Sequence, residues 1–256
     1  MKRDDCLWTE VQGTTLIVTL NRPDVRNAFN RALVEATAAA MDRLDADSDL
    51  RAGVITGAGG NFCSGTDLRA YAEGDSMVIE PRGFYGLLGR PPRKPLIAAI
   101  EGYAAGGGLE VALACYLIVA ARDARLGLPE VTHGVYPAGG AFQLPLRMPY
   151  YHAMELALTG RFISAERAEV LGLVNRVVEP GGTLRSALRL AAEIAANAPL
   201  AVDETKETIR RVSYHPSVEA AWTYVHAANE RVLASEDSRE GIAAFAERRR
   251  PVWRGR

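Results

Sequence analysis

The amino-acid sequence predicts an α/β protein in which strands and helices alternate first and helices dominate the C-terminal part. Three observations support this fold class. Strand-like and helix-like segments alternate from Trp8 to about residue 150. Two glycine-rich turns each follow an apolar, strand-like run and precede a helical one. From Tyr151 onward, the spacing of the apolar residues is mostly helical.

The first elements are a hairpin, a helix and a short strand. Residues alternate from Trp8 to Leu20 around Gly13 and Thr14, which is typical of two antiparallel strands joined by a turn. Asn30 is placed to cap a helix, since asparagine is favoured at helix N-caps. The apolar face of that helix is predicted to contain Leu33, Val34, Thr37, Ala40, Met41 and Leu44. The run AGVITG then predicts a strand, and Asp67 and Leu68 are predicted to open the next helix.

The apolar segment Leu96–Ala121 is long enough to raise the question of a membrane span. Glu101 and Glu110 would each cost roughly 2.5 to 3.5 kcal/mol near the centre of a bilayer. Three consecutive glycines would also weaken a continuous helix there. We therefore expect a buried strand, a glycine turn, a helix and a further strand, preceded by an irregular pocket wall at residues 73–95 whose composition suits mobility.

The C-terminal part is expected to be helical, interrupted by a strand over Val174–Val178. One side of the last long helix is predicted to carry Val218, Ala221, Trp222, Val225 and Ala228. No linker or repeat separates the segments. We expect a core over residues 1–195 and a helical oligomerisation region over residues 196–256.

The composition restricts the function classes. The chain has 256 residues and a formal net charge of −1, so strong attraction of the whole molecule to nucleic acid is excluded. A basic cluster near the C-terminus is interpreted as a solvated tail, with a phosphate-binding role as the less favoured alternative. Its members are Arg248, Arg249, Arg250, Arg254 and Arg256.

Cysteine and histidine usage favours a cytoplasmic protein without a metal site. Cys6, Cys63 and Cys115 lie far apart and lack CxxC spacing, which indicates a reducing compartment. The N-terminal residues lack an apolar signal core, so we expect a cytoplasmic location and no membrane partner. The histidines do not show metal-ligand spacing either. They are His133, His152, His215 and His226.

Two glycine-rich turns, Asn61–Leu68 and Ala104–Glu110, are the strongest chemical signals. Amides at a helix N-terminus have no intrahelical acceptor, and two such turns facing each other can bind one developing oxyanion. Neither turn matches the dinucleotide-binding or the P-loop pattern. A purely structural role for each turn remains the alternative, since most glycine-rich turns are structural.

Two glutamates accompany these turns. Glu110 directly follows the glycine triplet in an apolar run, and Glu130 follows the apolar run 126–129, which we expect to end a strand. The alternatives are a salt-bridged or helix-capping role for Glu110 and a place in a surface loop for Glu130. Ser64 lies in CSGTD rather than in GxSxG, which disfavours a serine hydrolase.

The sequence resembles the enoyl-CoA hydratase/isomerase (crotonase) family in several strings that occur in the family's order. They are KPLIAAIEGYAAGGGLEVALAC, LGLPEV, GVYPAGG and LTGRFISAERAEVLGLVNRVV, and the resemblance extends from about Trp8 to the C-terminus. It implies a spiral of ββα units with a C-terminal helical trimerisation region, and a homotrimer or a dimer of trimers. It also implies an acyl-CoA thioester substrate and no separate cofactor, because coenzyme A is part of the substrate.

The resemblance implies roles for individual residues as well. The amides of Thr66 and Gly107 would form the oxyanion hole, and Glu110 and Glu130 would be the catalytic acids. In hydration Glu110 would activate water and Glu130 would protonate the α-carbon. The implied CoA contacts come from the Arg26-Asn27-Ala28 turn and from backbone near the two glycine turns. The latter are Ser64, Gly65, Asp67, Leu68 and Gly106.

Two departures from the family pattern leave the reaction open. Tyr116 stands where relatives often have aspartate, and GGAFQLPLRM replaces a GGTQRL-like string. We expect hydration of a 2-enoyl-CoA. The alternatives are enoyl-CoA isomerisation, a carnitinyl-CoA or sterol side-chain CoA dehydratase/hydratase reaction, and a noncatalytic acyl-CoA-binding member. Retention of both glutamates disfavours the last, and substrate size is expected to depend on the variable segment 70–93 and the final helices.

Overall fold

A computed structural model describes residues 2–3, 6–214, 227 and 229–256. The chain divides into two compact units, Met1–Ala191 and Ala192–Arg256. The boundary predicted from the sequence lay four residues later, between residues 195 and 196. The predicted apolar face that contains Val218, Ala221, Trp222, Val225 and Ala228 lies outside the described residues, as do His215 and His226.

The first unit contains the twelve strands found among the described residues, and most of the helices. In chain order the strands are β1 (Lys2–Arg3), β2 (Leu7–Gln12), β3 (Thr15–Leu20), β4 (Ala52–Gly57), β5 (Val78–Ile79), β6 (Gly83–Phe84), β7 (Leu96–Ile100), β8 (Tyr103–Ala105), β9 (Leu117–Ala121), β10 (Arg125–Gly127), β11 (Phe162–Ser164) and β12 (Arg176–Val178). The α-helices are α1 (Arg31–Ala46), α2 (Leu68–Ala72), α3 (Gly107–Ala114), α4 (Ala138–Gln143), α5 (Tyr150–Thr159), α6 (Ala165–Val170), α7 (Thr183–Ala195), α8 (Pro199–Tyr214) and α9 (Glu236–Glu247). Short 3-10 helices cover Pro23–Val25, Pro129–His133 and Leu144–Leu146.

The strands of this unit form three sheets. The seven-stranded sheet has the order β1-β2-β3-β4-β7-β9-β12, a three-stranded sheet has the order β11-β10-β8, and β5 pairs with β6. The strands β1, β2 and β3 are antiparallel, whereas β3, β4, β7, β9 and β12 run parallel. The predicted α/β class with a helical C-terminal region is thus confirmed.

The central parallel strands are continuous apolar runs because both of their faces are covered. Ile55, Ile97 and Val119, on β4, β7 and β9, are completely buried. Burial of such residues is the main favourable contribution to folding, at about 1.5–3 kcal/mol for each large aliphatic side chain. The sheet therefore provides the rigid scaffold from which the loops at the strand ends project.

Helix α1 forms as its sequence predicts. The Asn30 side chain accepts a hydrogen bond from the Leu33 amide at 3.1 Å, which satisfies one of the free amides of the first turn. All the predicted apolar positions of α1 are buried. The helix consequently covers the sheet and offers a backbone surface to the residues that pack on it.

The apolar segment Leu96–Ala121 folds as β7, β8, α3 and β9, in agreement with the prediction of strand, turn, helix and strand. Within the described ranges, none of the helices combines the length and the apolar character needed to cross a membrane. The strand predicted over Val174–Val178 begins later, at Arg176. The Val174 amide instead donates to the carbonyl of Ala168 in α6.

The segment at residues 73–95 is irregular, and an arginine anchors it to α1. Arg82 is only 2% exposed, and its guanidinium bonds Asp42 and Asp45 at 2.7 and 2.8 Å. A further bond, of 2.9 Å, runs from the same guanidinium to the Arg90 carbonyl within the segment. One buried cation therefore closes the segment on itself and ties it to the helix.

The second unit contains the end of α7, α8, a helical stretch at residues 229–234, and α9. The Arg231 guanidinium bonds Glu204 at 2.7 Å, and the Trp253 indole donates to the Ala196 carbonyl at 2.7 Å. Three arginines of the C-terminal basic cluster pair with glutamates of the same unit. They are Arg249 with Glu240 and Glu247, and Arg254 and Arg256 with Glu236.

Candidate active site

The two glycine-rich turns predicted from the sequence meet in the first unit. The Phe29 amide donates to the Gly65 carbonyl at 2.7 Å, and the Asp67 amide donates to the Phe29 carbonyl at 2.8 Å. These two hydrogen bonds use the Gly65 carbonyl and the Asp67 amide, on either side of Thr66, so the Thr66 amide takes no part in them. A Cβ atom on Gly65 would lie 3.0 Å from the Gly107 nitrogen, which shows how closely the two turns approach.

Glycine is required where α3 begins. Gly106 has a φ of 54°, which is accessible to glycine at little cost. A Cβ atom on Gly108 would overlap the Cys63 carbonyl oxygen, because α3 packs directly on the backbone of the other turn. Gly107 is the first residue of α3, and the amides of a first helical turn have no intrahelical acceptor. Over the described residues, neither the Thr66 nor the Gly107 amide donates to another protein atom.

Glu110 lies in the first turn of α3 and is only 4% exposed. Its Oε1 atom accepts a hydrogen bond of 2.7 Å from the Gly140 amide. Burial raises the pKa of Glu110, while hydrogen bonds from the Gly140 and Gly139 amides act against this. These amides favour the charged form, so Glu110 can act as a carboxylate inside an apolar environment.

Glu130 reaches the same N-terminal turn of α3 from a segment later in the chain. It lies in the 3-10 helix Pro129–His133, three residues after β10, rather than at the end of a strand as predicted. Its Oε1 atom would lie 2.9 Å from a Cβ atom on Gly106, so the carboxyl group reaches the N-terminus of α3. In the described part of the chain, its buried Oε2 atom has no hydrogen-bond partner.

The pKa of Glu130 is raised to about 7, mainly by burial. The negative charge of Glu110 raises it further, whereas hydrogen bonding to the Glu130 backbone and the nearby His133 lower it. Glu110 receives backbone hydrogen bonds to its carboxylate, but the Oε2 atom of Glu130 receives none. The site can therefore hold one carboxylate and one carboxylic acid near neutral pH, which is the combination that acid–base chemistry needs.

Tyr85 is a polar residue of the site to which sequence reasoning assigned no role. Its hydroxyl lies 2.8 Å from the Thr66 Oγ1 atom, and a Cβ atom on Gly107 would overlap it. The sequence placed Tyr85 only in an irregular pocket wall. Its contacts with the two turns depend on long-range packing, for which the local pattern carries no signal.

The residues expected to bind CoA gather next to the Thr66 turn. The Ser64 amide donates to the Arg26 carbonyl at 2.9 Å, and the Ser64 hydroxyl donates to the Val25 carbonyl at 3.0 Å. Arg26 has a φ of 50° and its guanidinium lies 5.8 Å from the centre of the Tyr103 ring. The structure thus brings the predicted turns 26–28 and 64–68 together, and Gly65 of the second turn lies against the start of α3.

Within this group, Asp67 has a structural function. Its carboxylate accepts from the Ala70 amide at 3.3 Å, which caps α2, and pairs with Arg22 at 3.1 Å. Burial acts to raise the pKa of Asp67, but these hydrogen bonds and the arginine outweigh it and lower the pKa. Arg22 also donates to the Ala28 carbonyl and so links both turns, a role that the sequence did not reveal. Leu68 is exposed beside them.

Other kinds of chemistry are less well supported. Burial raises the pKa of the Cys63 thiol to about 12, so this cysteine is protonated at neutral pH and is a poor nucleophile. Among the described residues, no three histidine, cysteine, aspartate or glutamate side chains lie together in a cluster suited to a metal ion.

Comparison with known proteins gives one consistent result. The sequence profile described as enoyl-CoA hydratase/isomerase matches residues 10–256. The chain is 42% identical to the enoyl-CoA hydratase EchA19 of Mycobacterium tuberculosis, over 96% of each chain. It is equally 42% identical to the carnitinyl-CoA dehydratase of Salmonella typhi, over 95% of this chain and 96% of the other.

The fold agrees with a solved structure from the same family. A crystal structure of an enoyl-CoA hydratase from Mycobacterium tuberculosis superimposes with a TM-score of 0.96 at 49% sequence identity. The match covers 99% of this chain and all of that chain. The crotonase-type α/β fold with a helical C-terminal region, which the sequence resemblance implies, is thereby confirmed.

Proposed function

Because the chain belongs to the enoyl-CoA hydratase/isomerase family, we propose that it is an enzyme that adds water across the double bond of a 2-enoyl-CoA thioester. One observation carries this proposal. The buried Glu110 and the half-buried Glu130 lie at the N-terminal turn of α3, and the Thr66 turn, which carries a second free amide in the described part of the chain, packs against that turn. Hydration beside a thioester needs these groups, namely a base, an acid and donors for the carbonyl oxygen.

The amides of Thr66 and Gly107 bind the thioester oxygen in this proposal. Attack of water on the β-carbon moves negative charge onto that oxygen, as in an enolate. Each preorganised donor of this kind contributes roughly 3–4 kcal/mol to the transition state. The positive end of the α3 dipole adds to the stabilisation of the same charge.

The two glutamates transfer the protons. Glu110, whose carboxylate is held by the Gly140 amide, removes a proton from the water as its oxygen bonds the β-carbon. Glu130, protonated near neutral pH, delivers a proton to the α-carbon through its unpaired oxygen. The β-carbon thus gains a hydroxyl and the α-carbon gains a hydrogen, and the proton on Glu110 must then return to Glu130 to restore the starting state. The reverse sequence of steps describes dehydration.

Coenzyme A is part of the proposed substrate, so the proposal includes no separate cofactor or metal. The turns at residues 26–28 and 64–68, with Gly106, are proposed to contact the CoA moiety. Hydration that continues after dialysis against a chelator would support this part of the proposal. A loss of turnover that added divalent cation restores would contradict it.

A second candidate reaction is dehydration of a β-hydroxyacyl-CoA such as carnitinyl-CoA. This candidate is retained because the chain is as similar in sequence to the carnitinyl-CoA dehydratase as to the enoyl-CoA hydratase. The same two glutamates would serve hydration and dehydration. A panel of thioesters decides between the two. Conjugated enoyl-CoA substrates lose their absorbance on hydration, whereas a hydroxyacyl-CoA gains it on dehydration.

Glu110→Gln and Glu130→Gln test the assignment of the catalytic pair. Each substitution keeps the size of the side chain but removes its proton transfer, so each is expected to lower crotonyl-CoA hydration at least about 100-fold. Binding of a saturated acyl-CoA, measured by calorimetry, should remain. Glu169→Gln, an exposed position, serves as the matched control. Full activity in either site variant would overturn the assignment.

The proposed assembly is a homotrimer or a dimer of trimers, and the proposed location is the cytoplasm. The C-terminal helices support the assembly, since the family resemblance assigns trimerisation to this region. The three widely separated cysteines, which lack CxxC spacing and so indicate a reducing compartment, support the location.

A further inference from the structure

Tyr85 joins the two turns that provide the oxyanion amides. Its hydroxyl bonds the Thr66 side chain at 2.8 Å and occupies the space where a side chain on Gly107 would lie. Because Cβ and the amide nitrogen are both bonded to Cα, the hydroxyl lies within about 5 Å of the Gly107 nitrogen. One phenol therefore contacts the residues of both amide donors.

The protein holds Tyr85 in a conformation that a bulky residue rarely adopts. Its φ is 53°, in the left-handed region. Such conformations persist when the surrounding structure enforces them, and they occur often at functional sites. The strain by itself does not define a role, but it shows that the position of the ring is imposed by its neighbours.

Several contacts impose that position. The Tyr85 amide donates to the Met77 carbonyl at 2.9 Å, and its ring packs on Phe29 with centroids 5.0 Å apart. The next residue, Gly86, lies against α1, where an added Cβ would be 2.6 Å from the Val34 carbonyl oxygen. The side chain is only 6% exposed. Tyr85 is thus held by Phe29 and by the backbone of the segment that Arg82 anchors, which packs on α1.

The phenol is suited to a lasting bond with Thr66. Burial raises the pKa of Tyr85, and the negative charge of Glu110 raises it further, so the hydroxyl stays protonated. A phenol is a stronger acid than an alcohol, which favours donation from Tyr85 to the Thr66 oxygen. This bond restrains Thr66 relative to the ring that packs on Gly107.

We propose that Tyr85 is a positioning residue that sets the separation of the Thr66 and Gly107 amides in the oxyanion hole. The inference rests on the proposed function, because it assigns these two amides to the thioester oxygen. It goes beyond the proposed function because it assigns control of the distance between the two amides to a tyrosine that lies outside both turns.

Three substitutions test the bond between the two hydroxyls. Tyr85→Phe keeps the ring and Thr66→Val keeps the amide, so each removes one hydroxyl. Each is expected to lower kcat about 10- to 100-fold with little change in KM, as for a displaced catalytic donor. The double variant should be no slower than the slower single variant, because the second change removes a bond that is already lost. Thr66→Ser, which keeps a hydroxyl, should lose less than Thr66→Val.

A spectroscopic readout separates positioning from simple structural support. The infrared carbonyl stretch of bound butyryl-CoA reports how strongly the amides polarise the thioester, and it requires no turnover. We expect it to shift toward the value of the free thioester in Tyr85→Phe. Tyr116→Phe is the matched control, since the Tyr116 hydroxyl bonds the Pro92 carbonyl instead. Its kcat and carbonyl stretch should equal those of the parent.

Two results would overturn the inference. One is a Tyr85→Phe variant with the parental kcat and carbonyl stretch, and the other is additive loss in the double variant. A parent that fails to hydrate any thioester would instead count against the proposed function. In that case the carbonyl stretch of the bound acyl-CoA still tests the role of Tyr85.

Discussion

Glu110 and Glu130 show how one residue type acquires two protonation states. Glu110 is the more deeply buried of the two, yet backbone amides bond its carboxylate and favour the charged form. Glu130 is less buried but has an oxygen without a partner, and the Glu110 charge opposes its ionisation. The hydrogen-bonding partners, more than the burial alone, separate the two roles.

The pH dependence of turnover follows from this pair. The active enzyme carries one proton on the two carboxyl groups, so kcat/KM should be bell-shaped in both reaction directions. Because the pKa of Glu130 is about 7, deprotonation of this acid should cause the alkaline decline near pH 7. The acidic decline should lie at a higher pH than for an ordinary glutamate, since burial raises the pKa of Glu110. Initial rates across the pH range measure both limbs, and a flat profile from about pH 6 to pH 9 would contradict the assignment.

The N-terminal turn of α3 concentrates the functional groups because its backbone is accessible. The glycines at 106, 107 and 108 leave space for Glu130, Tyr85 and the Cys63 carbonyl respectively. The neighbouring Gly139 does the same for Glu110, whose Cδ atom would be 3.2 Å from an added Cβ. These glycines thus have different neighbours, and substitutions at them should have different effects.

Gly108→Ala and Gly139→Ala test this distinction. The Gly108 Cβ would meet the backbone of Cys63, which cannot move freely, so we expect a loss of about 2–3 kcal/mol in the free energy of unfolding. The Gly139 Cβ would meet the flexible end of Leu88 and then Glu110, so we expect a smaller stability loss but about a tenfold lower kcat. Thermal unfolding and initial rates measure the two effects. Equal losses of stability in both variants would contradict this interpretation.

Large apolar side chains are exposed on the surface of the first unit, and burying them would favour association between copies of the chain. Tyr151 is 83% exposed, and other large apolar residues on and near α4 to α6 are exposed as well. They are Tyr136, Phe142, Tyr150, Leu158 and Val170. Exposed apolar surface of this kind often marks a protein interface. The small net charge of −1 offers little electrostatic repulsion between copies.

The proposed assembly predicts the mass that the protein should have in solution. Analytical ultracentrifugation should give three or six times the 27.6 kDa of one chain, as proposed for a trimer or a dimer of trimers. Measurements over a range of concentrations distinguish the two. A single species of 27.6 kDa at all concentrations would contradict the proposed assembly.

The sequence by itself determined the features that local patterns encode. The hairpin before Leu20, the Asn30 cap of α1 and the order of elements in Leu96–Ala121 depend on turn chemistry and apolar spacing within a few residues. The two glycine turns and Glu110 were identifiable for the same reason. Motifs in a fixed order then indicated the family, and with it the roles proposed for Thr66, Gly107 and Glu130.

Only the tertiary structure decided how these groups meet. The Gly140 amide that bonds Glu110, the Arg22 that joins two turns, and the Tyr85 hydroxyl beside Thr66 are each brought from distant parts of the chain. Likewise, the raised pKa of Glu130 depends on burial and on the charge of Glu110. Apolar periodicity specifies which face of an element is buried, but it does not specify what that face will contact. The chemistry of this site therefore depends on packing between segments that no local pattern connects.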